Sequence, residues 1–277
     1  MKAVFNKVAI VGTGLIGGSL ALAIKKRRLA KEVVGVSRHK QSLVFAKKMG
    51  AIDRGSLSLD IIKDADLLVL ATPVNTIKNC AQMISRIVTK DCIVTDVGST
   101  KQEIVSHLER IFPNFVGAHP LAGSEKRGIL NAQRSLFQGS LCIITPTRKT
   151  NLKALKLIRG LWKKVGASTI ILSPAAHDKI LSFISHLPHV AAFSLIGSVP
   201  QKLLKFGSSG LKDTTRIAAS DSGLWAQVLL SNKNNILKAM AKLQDKLSGI
   251  KKAIQANDEN KLRTILKQAK AKRDRLC

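Results

Sequence analysis

A glycine-rich turn near the N-terminus constrains the fold of this 277-residue chain more than any other feature. The turn directly follows the β-branched run at residues 8–11 and precedes an amphipathic stretch. Its GxGxxG spacing permits a tight turn, close approach of a pyrophosphate, and close packing of strand and helix. Because the N-terminus of the following helix attracts anions, the sequence predicts a dinucleotide site formed by Gly12, Gly14, Leu15, Ile16 and Gly17.

Short apolar runs alternate with amphipathic stretches through the first part of the chain, as is typical of α/β proteins. Six runs are too short for helices and predict buried parallel strands at residues 8–11, 33–36, 67–70, 93–95, 115–117 and 141–144. From about Ser173 onward, apolar residues fall at helical spacing. We therefore predict a Rossmann-like, doubly wound parallel sheet in residues 1–172 and an all-helical domain in residues 173–277.

The last predicted helix carries a regular apolar stripe and a charged outer face. The stripe consists of Ile236, Met240, Leu243, Leu247, Ile250 and Ile254. Such a stripe fits packing within its own domain and equally fits a partner helix. The sequence pattern alone leaves both arrangements open.

The end of the second predicted strand bears on the choice of cofactor. An enzyme that holds NAD by its ribose hydroxyls carries a carboxylate there, whereas this chain has Ser37 and Arg38. Both side chains can bind a 2′-phosphate, so NADP is preferred over NAD; an Arg38 that only stacks on adenine would serve either cofactor. Thr72 and Pro73 follow the strand at residues 67–70 and are predicted beside the nicotinamide ribose, although Pro73 is equally a turn former.

Two polar segments follow apolar runs at the sheet edge where the dinucleotide is expected. Ser99 follows the strand at residues 93–95, and His119 follows the strand at residues 115–117. Ligands of open α/β sheets bind at this carboxyl edge. A hydroxyl group that is oxidised loses a proton as its hydride leaves, and histidine exchanges protons near neutral pH. His119 is therefore predicted as a general base or hydrogen-bond acceptor.

A second polar cluster lies in the predicted helical domain. Asp213 and Arg216 are three residues apart, which puts them on one face of a helix or turn. We predict that Arg216 binds a substrate carboxylate and that Asp213 braces it; the alternative is a surface ion pair of little energetic value. The settings of His39, His107 and His177 suggest no chemistry.

The composition narrows the class of partner. Lys and Arg number 46 against 17 Asp and Glu, which gives a formal net charge of +29. Such a surface attracts phosphate, but the chain has no Tyr, two Trp and eight Phe, so stacking aromatics are scarce and dedicated nucleic-acid binding is not expected. An anionic small molecule is the expected partner.

Membrane insertion, export and metal binding are not expected. No run of about eighteen uncharged apolar residues occurs. Residues 1–7 lack the hydrophobic core of a secretory signal, so we expect a cytoplasmic protein. The four cysteines form no CxxC pair and have no His at metal-ligand spacing, which argues against disulfides and a zinc site.

Five motifs occur in an order that resembles the prephenate/arogenate dehydrogenase family of tyrosine biosynthesis. They are GTGLIGGS at residues 12–19, DVGSTK at 96–101, HPLAGSE at 119–125, SHLPH at 185–189 and DTTRIA at 213–218. The resemblance implies a Rossmann domain in residues 1–172 and a helical domain for substrate binding and dimerisation in residues 173–277. It also implies a homodimer through the C-terminal helices and an NAD(P)-dependent oxidative decarboxylation. The substrate would be prephenate or L-arogenate, and the product 4-hydroxyphenylpyruvate or L-tyrosine.

The same resemblance implies roles for individual residues. His119 resembles the residue that polarises the substrate 4-hydroxyl, and Ser99 resembles its hydrogen-bonding partner. Arg216 is similar to the arginine that binds the substrate carboxylate. His189 is similar to a residue that lines the substrate pocket, with His186 nearby.

Several alternatives remain open. A β-hydroxyacid or imine reductase of similar architecture would place a lysine at the nicotinamide, and a basic nucleic-acid-binding protein would use the Rossmann frame without catalysis. Prephenate and arogenate both remain candidate substrates. They differ in a side-chain keto group of prephenate and an ammonium group of arogenate, so an extra carboxylate in the pocket would favour arogenate. The candidates for that carboxylate are Asp213, Asp221 and Glu125.

Overall fold

The computed structural model describes residues 3–124 and 126–276, and in this part of the chain eight strands form one sheet. They are β1 (Phe5–Val11), β2 (Ala30–Val36), β3 (Arg54–Ser56), β4 (Leu67–Leu70), β5 (Ile93–Asp96), β6 (Phe115–Pro120), β7 (Leu141–Thr145) and β8 (Ser168–Ile171). Their order across the sheet is β3-β2-β1-β4-β5-β6-β7-β8. Neighbouring strands are parallel, except that β6 and β7 are antiparallel.

Helices connect the strands and follow β8. The α-helices are α1 (Leu15–Lys26), α2 (Lys40–Lys48), α3 (Val74–Ile84), α4 (Gln102–Leu108), α5 (Leu152–Lys164), α6 (Pro174–Leu181), α7 (Leu187–Ser198), α8 (Ser209–Thr215), α9 (Ser222–Ser231), α10 (Lys233–Gln255) and α11 (Glu259–Arg273). A π-helical turn, Ser182–His186, joins α6 to α7. Short 3₁₀ helices occupy Leu59–Ile62, Ile129–Asn131, Gln201–Phe206 and Arg216–Ala219.

The predicted fold class is confirmed, and each of the six predicted strands is present. Alternate residues of β1 face opposite sides of the sheet, where two separate cores lie. Val8 and Ile10 pack with residues of α1 and α5, whereas Ala9 and Val11 pack with residues of α3 and α4. Helices therefore cover both faces of the sheet, as in a doubly wound fold.

The direction of β7 differs from the prediction of a parallel strand. The chain leaves β6 and returns to β7 at the same edge of the sheet, where the N–H of Leu121 donates to the carbonyl of Leu141 at 2.7 Å. The intervening segment packs on α1, and the hydroxyl of Ser19 accepts a hydrogen bond from the N–H of Gln133 at 2.9 Å. Because this segment does not cross to the other edge, β7 runs antiparallel to β6. The sequence analysis also missed the short edge strands β3 and β8.

The described chain divides into two compact units, of which the first ends at Asn232 and the second begins at Lys233. In the first unit, α6 to α9 group with the sheet. The second unit consists of α10 and α11, which pack together. Its apolar stripe is buried at Ile236 but 57% exposed at Leu247 and 58% exposed at Ile254.

One continuous helical segment, Pro174–Ser198, is long and apolar enough to cross a membrane by length and composition alone. Its 18-residue window has a mean hydropathy of 1.5, and 22% of that window is buried. The same segment contains His177, Asp178, His186 and His189, which are polar or ionisable. It includes α6, the π-helical turn and α7.

Candidate active site

The glycine turn after β1 has the geometry that a dinucleotide site needs. Gly12 has a φ of +102°, a conformation that favours glycine. A Cβ on Gly17 would overlap the carbonyl oxygen of Gly12, so glycine is required for α1 to approach the turn. A Cβ on Gly14 would meet nothing within 4 Å, which leaves space at the N-terminus of α1. The backbone N–H groups of Leu15 and Ile16 lack acceptors within the helix there and suit a pyrophosphate.

The residues predicted to select the cofactor follow β2 and β4. Ser37 is half-buried and Arg38 is exposed directly after β2. Burial raises the pKa of the Cys80 thiol, while Thr72 and the charge of Arg38 oppose that rise. Arg38 and Thr72 therefore border one region at the carboxyl edge of the sheet. Pro73 directly precedes α3, in agreement with a turn-forming role.

Three side chains form a hydrogen-bonded chain between the sheet and α6. Nδ1 of His119, near the end of β6, lies 2.8 Å from Nε2 of His177. Nδ1 of His177 lies 2.7 Å from Oδ1 of Asp178. His177 and Asp178 are consecutive buried residues of α6. His177, which the sequence analysis left without chemistry, is therefore the observed partner of His119.

The carboxylate of Asp178 also caps α4. Its Oδ1 accepts a hydrogen bond from the backbone N–H of Lys101 at 2.7 Å, and its Oδ2 accepts one from Gln102 at 2.9 Å. The first N–H groups of a helix have no acceptor within that helix, and a carboxylate satisfies them well. Asp178 therefore fixes α6 to the start of α4.

A fully buried ion pair lies beside this chain of hydrogen bonds. The ammonium of Lys101 donates to the carboxylate of Asp96 and, at 2.9 Å, to the carbonyl of Ala118. The same carboxylate accepts the N–H of Gly98 at 2.8 Å. Because Ala118 directly precedes His119, the ion pair helps to fix the end of β6. Removing one partner of such a buried pair costs about 3–5 kcal/mol.

The surroundings keep His119 neutral at neutral pH. Burial lowers the pKa of His119 well below its usual value, and His177, Lys101 and His186 lower it further. Burial also lowers the pKa of His177, although the hydrogen bond to Asp178 opposes this effect. The pKa of His186 falls to about 4, again mainly through burial. Each of these imidazoles therefore offers one nitrogen lone pair at neutral pH.

The π-helical turn and α7 position two more histidines. Nδ1 of His186 lies 3.1 Å from the side-chain nitrogen of Asn232. Nδ1 of His189 donates to a backbone carbonyl one turn earlier at 3.0 Å. The ring of His189 stacks on Trp225, with centroids 3.4 Å apart and planes at 21°. Single turns of π-helix often mark functional sites, and this one ends at His186.

Arg216 lies near His189, so two predicted substrate residues come together. Burial is the larger cause that lowers the pKa of His189, and the charge of Arg216 also lowers it. Arg216 is exposed at the start of its 3₁₀ helix. Asp213 is exposed in α8, and in residues 3–124 and 126–276 no ion pair within 4 Å joins it to Arg216. The predicted bracing of Arg216 by Asp213 is therefore not observed.

Ser99 is half-buried between β5 and α4. Nδ1 of His119 is hydrogen-bonded to His177, so the predicted hydrogen bond from Ser99 can reach only Nε2 of His119, and it stays a prediction. Glu125 and Cys277 lie outside the described residues. Cys80, Cys92 and Cys142 are free thiols, and no group of three His, Cys, Asp or Glu side chains among the described residues is arranged to hold a metal ion.

Sequence reasoning missed His177, Asp178 and Trp225 as neighbours of the site. Helical structure was predicted from about Ser173 onward, and α6 does begin at Pro174. A consecutive His–Asp pair inside an apolar segment was an available signal, because such a pair is costly to bury without partners. Trp225 carried no comparable signal, since its contact with His189 depends on how α9 packs.

Two sequence models of one family together match most of the chain. The prephenate dehydrogenase nucleotide-binding domain matches residues 20–171, and the prephenate dehydrogenase dimerization domain matches residues 173–268. The chain belongs to the prephenate dehydrogenase family. The two matched domains meet near residue 172, whereas the first compact unit continues to Asn232, so the division at residue 172 stays a prediction.

Relatives of this family are similar over the whole chain. The prephenate dehydrogenase of Bacillus subtilis is 34% identical over 287 residues, which cover 100% of this chain and 77% of that protein. The crystal structure of prephenate dehydrogenase from A. aeolicus with hydroxyphenyl propionate and NAD+ is 37% identical, has a TM-score of 0.93 and covers 98% of both chains. The structure of Synechocystis arogenate dehydrogenase is 28% identical, with a TM-score of 0.84 and coverage of 98% of this chain and 100% of that chain.

Membership in the prephenate dehydrogenase family confirms the family that the motifs implied. It also confirms the predicted class of function, oxidative decarboxylation of a prephenate-type substrate with hydride transfer to NAD(P). The matched dimerization domain supports a homodimer. Which substrate and which nicotinamide cofactor this member prefers are finer questions.

The glycine turn provides a test of cofactor binding that separates contact from folding. Gly14→Val is expected to weaken NAD+ binding at least about tenfold, because its side chain fills the space left for the pyrophosphate. The backbone at Gly14 is extended, so the free energy of unfolding should fall by less than about 1 kcal/mol. Titration calorimetry measures the first effect and urea unfolding the second.

Gly17→Val is the matched control, because its side chain overlaps the backbone of the turn. This variant should lose stability as well as affinity. Wild-type NAD+ affinity in a folded Gly14→Val protein would mean that the pyrophosphate binds elsewhere.

Proposed function

We propose that this chain oxidises and decarboxylates prephenate, with NADP or NAD as hydride acceptor. The observation that carries the proposal is the position of His119 near the end of β6, where its Nδ1 is hydrogen-bonded to His177. The strands β1, β4, β5 and β6 are adjacent and parallel, so the glycine turn and His119 share one edge of the sheet. That edge is where open α/β sheets bind their ligands.

His119 acts on the substrate hydroxyl. When bound, the nicotinamide accepts a hydride from the carbon that carries this hydroxyl. Nε2 of His119 accepts the hydroxyl proton as the hydride leaves, which avoids positive charge on the forming carbonyl. The electron pair of the bond to the ring carboxylate enters the ring, carbon dioxide departs, and His119 returns the proton to the phenol oxygen. No net proton is released.

Arg216 and His189 are proposed to hold the substrate. Arg216 supplies a planar guanidinium suited to a carboxylate, and it lies close enough to His189 to lower the pKa of that ring. The Trp225 face fixes the plane of His189. His186 lies edge-on to Trp225, with ring centroids 6.0 Å apart, and its Nδ1 is engaged by the side-chain amide of Asn232, so we assign it to shaping the pocket.

Prephenate is preferred over arogenate in this proposal. Arogenate carries an ammonium group, which an unpaired pocket carboxylate would favour. Asp221 already accepts the N–H of Leu224 at 2.6 Å and pairs with Arg127 at 2.5 Å, so its charge is engaged. Asp213 is exposed in α8. The B. subtilis and A. aeolicus prephenate dehydrogenases described above, at 34% and 37% identity, are also more similar to this chain than the Synechocystis arogenate dehydrogenase, at 28%.

The two alternative functions receive less support. A hydroxyacid or imine reductase would need a lysine at the nicotinamide, but the lysine after β5, Lys101, is fully buried and bound to Asp96. The net charge of +29 fits steering of an anionic substrate without a nucleic acid. Membership in a family of biosynthetic dehydrogenases supports a cytoplasmic location.

Initial rates with each pairing of prephenate or arogenate with NADP or NAD test the proposed reaction. Reduced cofactor is followed by absorbance, and prephenate should give the highest kcat/KM. His119→Asn is expected to lower kcat by on the order of 100-fold to 10,000-fold, because no base then accepts the proton. His107→Asn on α4 is the control and should turn over like the wild type.

Two results would contradict this function. One is the absence of turnover with all four pairings by folded, cofactor-binding protein. The other is wild-type kcat in His119→Asn.

We further propose a preference for NADP over NAD. Support comes from Ser37 and Arg38, which stand after β2 where a carboxylate would repel a 2′-phosphate. The related A. aeolicus structure was solved with NAD+, so NAD is the alternative cofactor that the test includes.

Arg38→Glu tests the cofactor preference. Reversing this charge should lower kcat/KM for NADP about tenfold or more and change the value for NAD far less. Lys31→Glu, at the opposite end of β2, is the control for a change in net charge. An equal loss with both cofactors would contradict a role for Arg38 at the 2′-phosphate.

We propose that two copies pair through the C-terminal helices. The stripe of α10 exposes Leu247 and Ile254, and the Pro174–Ser198 segment exposes Phe183, Ile184 and Leu195. Exposed apolar surface of this kind is typical of a protein–protein interaction site. The matched dimerization domain includes both segments.

Leu247→Lys is expected to weaken the homodimer, because it puts a charge into the apolar stripe. Light scattering during size-exclusion chromatography should detect monomer at concentrations where the wild type is a dimer. Leu152→Lys on α5, where the leucine is 78% exposed, is the control. An unchanged dimer in Leu247→Lys would place the interface away from this stripe.

A further inference from the structure

We propose that His177 and Asp178 are positioning residues that hold His119 in one tautomer, with the proton on Nδ1 and the lone pair on Nε2. This inference rests on the proposed function, in which Nε2 of His119 accepts the substrate proton. Neither residue belongs to the motifs that pointed to the site. His177 contacts Nδ1 of His119, and Asp178 contacts His177, so neither residue occupies Nε2 of His119.

The direction of the hydrogen bonds follows from the carboxylate. Asp178 accepts two backbone N–H groups, from Lys101 and Gln102, so it is placed as an acceptor. Its Oδ1, at 2.7 Å from Nδ1 of His177, therefore requires a proton on that nitrogen. A neutral His177 then has its lone pair on Nε2. At 2.8 Å from this lone pair, Nδ1 of His119 must carry the proton.

The opposite tautomer would set two acceptors against each other. A proton on Nε2 of a neutral His177 leaves its Nδ1 bare against the Asp178 carboxylate. Two facing lone pairs in a buried site repel and leave polar atoms unsatisfied. The geometry therefore leaves Nε2 of His119 as the free acceptor.

Burial keeps this arrangement rigid. His177 is 0% exposed and Asp178 is 2% exposed, so solvent does not compete for their hydrogen bonds. The backbone of α4 holds the Asp178 carboxylate, which in turn holds the His177 ring. The ring of His119 thus keeps one orientation without rearrangement during the reaction.

The same residues stabilise His119 after it has accepted the proton. The imidazolium of His119 donates from Nδ1 to His177, and His177 is in turn hydrogen-bonded to the negatively charged carboxylate of Asp178. No proton needs to move to the carboxylate for this effect, as in Ser-His-Asp sites. The positioning pair therefore lowers the barrier more than it improves substrate binding.

The kinetic test uses variants that leave the cap on α4 intact. His177→Phe removes both hydrogen bonds and is expected to lower kcat on the order of 100-fold, with KM and cofactor Kd changed less than about threefold. His177→Gln keeps an acceptor toward His119 and a donor toward Asp178, so it should retain most of the kcat lost in His177→Phe. His107→Gln on α4 is the control, and thermal unfolding verifies that each variant is folded.

Asp178→Asn supplies a second variant, with the size of the side chain preserved. Its amide oxygen can replace Oδ1, which accepts from both Lys101 and His177, so this variant removes the negative charge and keeps the tautomer of His119. Its kcat should therefore fall, but by less than in His177→Phe, which loses the tautomer as well. If loss of the α4 cap unfolds this variant, the two His177 variants still decide the question.

A spectroscopic measurement decides the tautomer without any turnover. In protein labelled with ¹⁵N-histidine, two-bond ¹H–¹⁵N spectra distinguish protonated from unprotonated ring nitrogens. The signals of His119 are those lost in His119→Asn. In the wild type at neutral pH, we expect a protonated Nδ1 and an unprotonated Nε2, and in His177→Phe a mixture of both tautomers.

The outcomes separate this inference from the proposed function. Wild-type turnover together with unchanged kcat in His177→Phe would overturn the inference and leave the function standing. A proton on Nε2 of His119 in the wild type would also overturn it. Absence of turnover with the expected tautomer would contradict the function and leave the positioning of His119 supported.

Discussion

The candidate site depends on one buried carboxylate, that of Asp178. Three donors converge on it: the N–H groups of Lys101 and Gln102 and the Nδ1 proton of His177. An isolated buried carboxylate is costly, and these partners offset that cost. The same contacts join α6, which follows the sheet, to α4, which lies against it. The helical segment after β8 is thereby held where its histidine reaches the end of β6.

The sheet supplies the other half of the site. Its parallel strands end side by side, so the glycine turn after β1, Thr72 after β4 and Ser99 after β5 follow neighbouring strands. β6 adds His119, and its position is fixed from behind by the buried Lys101–Asp96 pair. A proton acceptor and a dinucleotide site therefore meet at one edge because of strand order, although they come from distant parts of the sequence.

The fold could be predicted from sequence because its signals are local. The β-branched runs predict the strands, and the GxGxxG spacing predicts the turn. Once the strands are predicted, His119 is placed at the end of one of them. The direction of β7 was not predictable, because it depends on where the segment before it packs on α1. His177 was missed for a related reason: its partner lies 58 residues away, on another element. Long-range pairings of this kind leave no periodic pattern in one sequence.

The central claim is that the substrate hydroxyl meets Nε2 of His119 at the edge where the dinucleotide lies. A crystal structure of this chain with NAD+ and a hydroxyphenyl analogue of the product tests it most directly. The account predicts the analogue hydroxyl within about 3.2 Å of Nε2 and its ring against the nicotinamide, at about 3–3.5 Å. A hydroxyl turned away from His119, or a nicotinamide on the other side of the sheet, would contradict it.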